Sequence, residues 1–188
     1  MHSIWNTSIR FTLVTAILLG LGYPLFVTSV AALIFPHQAA GSLILKDGTV
    51  IGSELLAQSF TSDKYFHPRP SAAGNGYDAT ASGGSNLAQS SKTLVDRIQG
   101  SIDKLSAENP GKPVPIDLVT TSASGLDPDI TPDAAIFQAP RVAKARGIPE
   151  DRVRDLIQQH ITTRQLGVLG EPRVNVLLLN LDLDKFAK

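Results

Sequence analysis

The feature that most constrains this chain is an uninterrupted apolar run from Phe11 to Phe35. Its 25 residues carry no charged side chain and lie between Arg10 and Pro36. At about 1.5 Å rise per residue, such a helix is about 37 Å long, enough to cross a hydrocarbon core of about 30 Å with some tilt. Because a backbone in lipid must satisfy its own hydrogen bonds, the run predicts one membrane-spanning helix over residues 11–35. It separates a short tail, residues 1–10, from a polar domain, residues 36–188.

A cleaved secretory signal is the alternative interpretation of this run. Such signals have an apolar core of about 7–15 residues followed by a small-residue cleavage site. This run is longer, and the residues at 39–41, Ala-Ala-Gly, offer only a poor site, so we expect an uncleaved anchor. Arg10 precedes the anchor, whereas the first charges after it are Lys46 and Asp47. The positive-inside rule therefore places the tail in the cytoplasm and the domain outside it.

Small or compact residues recur at every fourth position along the anchor. They let a neighbouring backbone approach closely, which is how helices associate in lipid, although such residues are common in membrane helices in general. In an α-helix, steps of four drift by about 40° each, so the row winds around the helix. Pro24 would clash with the carbonyl of Gly20, which predicts a kink. We predict that Ala16, Gly20 and Pro24 pack against a larger membrane protein. The row comprises Thr12, Ala16, Gly20, Pro24, Thr28 and Ala32.

Composition narrows the possible functions. The 17 basic and 17 acidic residues give a formal net charge of zero, so nucleic acid is not an expected partner. The absence of cysteine excludes disulfides, thiol catalysis and cysteine metal sites. The four histidines are far apart and have no acid or second histidine at ligand spacing, so we predict no metal site. No serine lies in a nucleophile-elbow pattern, and we predict no catalytic residue.

Patterning after the anchor predicts an α+β domain in which two or three helices pack on a small sheet. The predicted strands are a hairpin over 42–51 that turns at Asp47-Gly48, a strand over 115–122 and a long strand over 174–183. The predicted helices cover 53–59, 87–108, 132–139, 140–146 and a segment that begins at Pro149. The helical pattern over 132–146 is divided into two predicted helices at Pro140, because a proline inside a helix interrupts it.

Residues 62–86 contain prolines and glycines that exclude a regular element. A long ordered loop in a compact domain is typically functional, and aromatic and arginine side chains often anchor interfaces. Residues 81–86 could cradle an anion, but they lack the lysine of a phosphate loop and fit a turn plus helix N-cap better. We predict that the loop docks a protein partner. The predicted docking residues are Tyr65, Phe66, Arg69, Tyr77, Gly83, Gly84 and Asn86.

Five strings taken together resemble the KdpC family, the C subunit of the bacterial Kdp high-affinity potassium-transporting P-type ATPase. The resemblance covers nearly the whole chain, in the family's order and with its single N-terminal helix. The strings are YFHPRPS at 65–71, YD and ASGGSNL within 77–87, SGLD at 124–127, PRVAKAR at 140–146 and GEPRVNV at 170–176.

The resemblance implies a non-catalytic accessory subunit in the bacterial inner membrane. The charge rule adds that its N-terminus is cytoplasmic and its domain periplasmic. It implies two partners, a potassium-conducting channel-like subunit and a P-type ATPase subunit, together with membrane lipid. Its implied role is to assist assembly and to raise the affinity of the pump for ATP, as a catalytic chaperone docked on the potassium-entry side. The alternative from a different class is a free-standing, membrane-anchored binding module for a small solute.

The resemblance also implies one nucleotide-sensing residue. A glutamine of the family corresponds to Gln138, whose amide can both donate and accept hydrogen bonds; the alternative is a surface glutamine on a helix. No cofactor of its own is implied, and ATP would act through the partner ATPase subunit. A domain outside the membrane has no access to cytoplasmic ATP, so we expect the effect on ATP affinity to be indirect.

Overall fold

The computed structural model describes residues 2–186, which divide between two units, Met1–Ser53 and Glu54–Lys188. The first unit contains a long apolar helix and a β-hairpin, and the second combines helices with a three-stranded sheet. The predicted class, an N-terminal apolar helix followed by an α+β domain, is confirmed.

The N-terminal helix contains one candidate membrane span, Ser3–Ile34, and no residue of its most apolar part is buried within the protein. Its length and composition fit one membrane span. The kink at Pro24 stays a prediction. Just before Pro24 lies a π-helical segment, in which the N–H of Tyr23 donates to the carbonyl of Leu18. Because Pro24 has no N–H to give to Gly20, a wider turn just before it accommodates the missing bond. The helix consists of α1 (His2–Thr15), the π segment (Ala16–Gly22) and α2 (Tyr23–Ile34).

The predicted hairpin is confirmed. After a single helical turn, α3 (Pro36–Ala39), strands β1 (Leu43–Lys46) and β2 (Thr49–Ser53) pair antiparallel. Asp47 and Gly48 both have positive φ, 51° and 76°, as a tight two-residue hairpin turn requires. The helix predicted over 53–59 is wrong, because Ser53 ends β2 and the residues after it form a turn and irregular backbone. The Ser53 hydroxyl donates to the carbonyl of Gly41 at 2.8 Å. The residues predicted as a tail belong to α1 from residue 2 onward.

The second unit is built around an antiparallel sheet in the order β3-β5-β4, with β5 in the centre. Helices α5 and α7 contact the central strand, and α5 packs along α6. The largest fully buried apolar side chains are Phe66, Val142, Val153, Ile157, Val174, Leu179 and Leu183. The strands are β3 (Asp129–Ile130), β4 (Ile161–Thr162) and β5 (Arg173–Asn175). The helices are α4 (Lys92–Glu108), α5 (Pro132–Arg146), α6 (Glu150–Gln159) and α7 (Val176–Phe186), with a short 3₁₀ turn at Ile116–Leu118.

The long strand predicted over 174–183 is wrong. Only the three residues of β5 are extended, and α7 follows at once. The Asn175 side chain accepts from the N–H of Leu178 at 3.1 Å, as a residue preceding a helix does. The buried residues Val176, Leu179 and Leu183 are three and four apart, so one helix face carries them into the core. A continuous apolar run satisfies the helical period as well as that of a buried strand.

The strand predicted over 115–122 is also wrong. The Asp117 carboxylate accepts from the N–H of Thr131 at 2.7 Å and from its hydroxyl at 3.2 Å. This side chain ties its segment to the start of α5 instead of to the sheet. Helix α4 begins at Lys92 instead of Leu87, so residues 81–86 lie within an irregular segment and cap no helix.

Helix α5 starts and stops as predicted but does not break at Pro140. The Thr131 hydroxyl accepts from the N–H of Ala134 at 3.2 Å, and Gly147 ends the helix with a left-handed φ of 67°. Phe137 and Val142 lie on opposite sides of the proline and are both buried in the core. We infer that this shared burial outweighs the hydrogen bond lost at the proline. Helix α6 follows after Pro149, as predicted.

Candidate functional site

The loop of residues 62–86 is fastened to the domain most firmly at residues 63–67, which we call the strapped segment. Its five consecutive carbonyls all accept hydrogen bonds from side chains of α5 or α7. Because these donors come from two helices, the backbone is held along its whole length. Arg141 donates to Asp63 and Tyr65 at 2.9 and 3.1 Å, Arg146 to Lys64 at 2.7 Å, Asn180 to Phe66 at 2.9 Å, and Gln138 to His67 at 3.0 Å.

Two of these donors, the amides of Asn180 and Gln138, bind the strapped segment through both of their polar ends. The Asn180 oxygen accepts from the N–H of Phe66 at 2.8 Å, and the Gln138 oxygen accepts from the N–H of His67 at 2.8 Å. Each amide thus pairs with a residue as a neighbouring peptide group would in a sheet. Phe66 is fully buried, so this pairing satisfies backbone groups that water does not reach.

Tyr65 is held in the strapped segment by one cation and one anion. The Arg146 guanidinium lies 4.8 Å from the centroid of the Tyr65 ring, within range of a cation–π contact. It also lies 2.7 Å from the carboxylate of Asp184, which accepts from the Tyr65 hydroxyl at 3.2 Å. Both ends of the tyrosine are therefore engaged within the domain.

Arg141 joins the strapped segment to α4. Its guanidinium donates to the Gln138 oxygen at 2.7 Å and lies 3.5 Å from the Glu108 carboxylate. Burial lowers the pKa of Arg141, and the charges of Glu108 and Asp63 partly oppose that shift. The arginine keeps its proton at neutral pH, since its ordinary pKa is far above 7.

The remainder of the loop packs closely on residues 122–126. The Ser71 hydroxyl donates to the carbonyl of Gly125 at 2.6 Å, and the N–H of Gly83 donates to the carbonyl of Ser124 at 2.8 Å. A Cβ on Gly125 would lie 2.7 Å from the Gly83 carbonyl, and one on Gly84 would lie 3.0 Å from the carbonyl of Ala123. The glycines therefore allow two backbones to approach each other.

Arg69 and Tyr77 also point into the domain. Arg69 lies 3.1 Å from the Asp127 carboxylate and donates to the Thr120 hydroxyl at 3.3 Å. The Tyr77 hydroxyl donates to the carbonyl of Arg69 at 2.9 Å. Burial raises the pKa of Tyr77, so its hydroxyl stays protonated and remains a donor.

A cleft of about 340 Å³ lies between this loop and α4. Burial, followed by the charge of Arg141, lowers the pKa of His67, so its ring is neutral at pH 7. One ring nitrogen, Nε2, lies 3.1 Å from the carbonyl of Ser62 and must carry the hydrogen of that bond. The cleft offers donors and acceptors suited to a small polar ligand. Its polar lining includes His67, Tyr77, Ser101, Lys104, Glu108, Gln138 and Arg141.

The structure brings several predicted site residues together but turns them inward. Gln138 is buried, which contradicts the alternative of a surface glutamine. Phe66 has no exposed surface, so a docking role for the loop rests on its solvent-facing parts. Asn86 is exposed, while Gly83 and Gly84 are half-buried. Ala16, Gly20 and Pro24 lie at or just after the π segment, on surface that this chain does not bury.

Four residues that hold the strapped segment were missed as site residues in the sequence: Arg141, Arg146, Asn180 and Asp184. Asn180 carried a usable signal, since it is a polar residue inside the apolar run of 174–183. A polar side chain in such a position requires hydrogen-bond partners once it is buried. Its partner, Phe66, is 114 residues away, and no local pattern identifies it.

Comparison with known proteins gives a consistent result. The family model described as KdpC, K+-transporting ATPase, c chain, matches residues 5–185. A protein of Acidobacterium capsulatum is 57% identical over 181 residues, covering 96% of this chain and 97% of the relative. Relatives from Methylobacterium nodulans and Rhodopseudomonas palustris are 55% and 56% identical, covering 91% and 94% of this chain and 91% and 95% of their own. All three are named potassium-transporting ATPase KdpC subunit.

Proposed function

Because the chain belongs to the KdpC family of potassium-transporting ATPase subunits, we propose that it is a non-catalytic accessory subunit of an ATP-driven potassium uptake complex. Its proposed companion subunits are a potassium-conducting channel-like protein and a P-type ATPase that hydrolyses ATP. In this role, it assists assembly from the potassium-entry side of the membrane and raises the affinity of the pump for ATP.

The observation that best supports this proposal is the strapped segment. Arg141, Arg146, Gln138 and Asn180 place their polar groups on the backbone of residues 63–67. These side chains are used to fix the shape of a loop, and a loop fixed in advance loses little entropy when a partner binds. A chain that carries both a pre-shaped loop and an unburied apolar helix suits a subunit that joins larger proteins.

The orientation proposed here places the domain outside the cytoplasm. Arg10 precedes most of the apolar span and the region after it has no comparable positive excess, so the positive-inside rule favours a cytoplasmic N-terminus. Protease added to intact spheroplasts should digest the domain beyond about residue 40 and spare the N-terminus. A domain that stays fully protected until the membrane is broken would refute this orientation.

The proposed effect on ATP affinity is indirect. The Gln138 amide accepts hydrogen bonds from His67 and Arg141 and donates one to the carbonyl of His67. A nucleotide base could pair with this amide only after the strapped segment had been released. We therefore retain nucleotide sensing by Gln138 as a prediction and propose that the subunit acts through its contacts with the ATPase.

One experiment tests the accessory role. The tagged chain is purified from its native membrane, and the chain-deleted strain is grown in limiting potassium with and without the restored gene. We expect the two larger companion subunits to co-purify and growth to depend on the chain. A chain that comes away alone, binds a small solute and is dispensable for growth would support the free-standing binding module instead.

A further inference from the structure

Residues 164–171 form an exposed turn whose two ends are joined by a pair of backbone hydrogen bonds and by an ion pair. Gln165 and Leu169 exchange both backbone hydrogen bonds at 2.9 Å, and Arg164 lies 2.6 Å from the carboxylate of Glu171. The side chains of Leu166, Val168 and Leu169, at the tip and base of the turn, are 90%, 72% and 55% exposed. The turn, which we call the apolar turn, is therefore a defined element that presents three aliphatic side chains to its surroundings.

The backbone of the apolar turn is strained at its most exposed residue. Leu166 has a φ of 51°, in the left-handed region that is unfavourable for a bulky side chain. Glycine or asparagine adopts this conformation at lower cost and is typical of turns. The folded domain gains little burial from this leucine in return for the strain. Strain that the fold does not need is a reason to look for a function at the site.

We propose that the apolar turn inserts into an apolar pocket of a companion subunit in the transport complex. This inference rests on the proposed function, because it requires that the chain assembles with other subunits. A convex turn of fixed shape that carries aliphatic side chains binds well in a complementary pocket. Its burial removes apolar surface from water, and little conformational entropy is lost because the turn is already ordered. The turn would act as an anchor that seats the domain on its partner.

The charges near the apolar turn argue against a lipid surface as its occupant. Segments that bind membrane surfaces usually carry lysine or arginine free for lipid headgroups and aromatic residues for the interface. Here Arg164 is paired with Glu171, and Arg173 lies 3.0 Å from the carboxylate of Asp129. Residues 161–171 contain no lysine, tryptophan or tyrosine.

A second copy of the chain is a less suitable occupant for geometric reasons. A symmetric contact between two such turns would bury only three aliphatic side chains from each copy, far fewer than the roughly 20–30 residues a side of a stable interface. If the tip of one copy instead entered a groove elsewhere on another, the contact would be head-to-tail. Contacts of that kind close into rings only at special angles and otherwise continue into open filaments. A pocket on a different subunit binds one tip, so the association does not continue into a filament.

Two substitutions test the proposal in the complete complex. Leu166→Asn removes the apolar side chain and relieves the backbone strain, so the domain should unfold at the same or a higher temperature while assembly weakens. Val168→Ser should also weaken assembly. For each variant, we expect the affinity for the companion subunits to fall at least about tenfold. The matched control is Val95→Ser on α4, where the valine is 56% exposed and the affinity should change less than about twofold.

The outcomes separate this inference from the proposed function. If the unaltered chain retains no companion subunit, the proposed function fails. If the unaltered chain assembles and both variants assemble equally well, only the docking role of the apolar turn fails. A variant that weakens assembly only in proportion to a loss of folded protein would also overturn that role.

A photo-crosslink identifies the occupant directly. The variant Val168→p-benzoylphenylalanine is irradiated in native membranes, and the adduct is identified by mass spectrometry. We expect a covalent adduct with one of the larger subunits. An adduct with phospholipid, or a dimer of this chain, would overturn the choice of occupant.

Discussion

Replacing Asn180 with alanine should open the strapped segment more than truncating any other side chain that holds it. The Asn180 amide holds the N–H and the carbonyl of Phe66 at 2.8 and 2.9 Å. Both residues are almost completely inaccessible to solvent. Truncation therefore leaves one backbone donor and one backbone acceptor without a partner inside the core.

The size of the effect follows from these two groups. An unsatisfied buried polar group costs about 1–3 kcal/mol, so two cost about 2–6 kcal/mol. A water molecule that entered the space left by the amide would recover part of this loss. We therefore expect about 2–3 kcal/mol, which corresponds to about a 30- to 150-fold change in the opening equilibrium.

Hydrogen exchange at the amide of Phe66 measures that opening directly. In the full-length protein in detergent, Asn180→Ala should reduce its protection by about 30- to 150-fold, with a smaller change at His67. Asn75→Ala, at an exposed position of the same loop, is the matched control and should leave both amides unchanged. A change of less than about threefold at Phe66 would refute the idea that the side-chain amide holds this backbone.

Three further predictions concern the backbone contacts, pH dependence and membrane helix. Gly125→Ala should lower the free energy of unfolding by about 3 kcal/mol or more, because the new Cβ would lie 2.7 Å from the backbone N of Ala73 and the residue has a φ of 69°. Gly111→Ala is the control: it has open space around it and should lower the free energy of unfolding by about 1 kcal/mol. Denaturant titration distinguishes the two variants. Burial lowers the pKa of His67 from 6.5, so the unfolded chain protonates this histidine more readily than the folded one, and the free energy of unfolding falls as the pH drops below 6.5. His67→Asn should reduce that fall between about pH 7.5 and 5.5. An equal fall in both proteins would contradict this prediction. Gly20→Leu should weaken co-purification of the companion subunits without changing the unfolding of the domain, and unchanged co-purification would mean that this face contacts lipid.

The elements that could be predicted from the sequence are those fixed by neighbouring residues. Asp47 and Gly48 accept positive φ, so they specify the hairpin turn without help from the rest of the chain. Thr131 and Pro132 similarly define the start of α5, since a hydroxyl cap and a fixed φ act within one turn. These signals are local, and the structure follows them.

The elements that could not be predicted depend on partners distant in sequence. The run 174–183 fits a buried strand or a buried helix equally well, and α7 forms because Asn175 caps it and its inner face meets the core. The aromatic residues at 65 and 66 suggested an interface, yet their anchors are side chains of α5 and α7. An aromatic loop that binds its own domain and one that binds a partner have the same composition.

The π segment, Ala16–Gly22, changes the direction in which the small residues of the membrane helix point. In an α-helix, four residues exceed a full turn by about 40°, so the row winds steadily to one side. In a π-helix, more than four residues complete a turn, so a step of four falls short and rotates the other way. The two kinds of step compensate each other between Thr12 and Pro24. The small residues there lie closer to a straight line along the helix axis, which allows a neighbouring helix to run nearly parallel and stay in contact over about three turns.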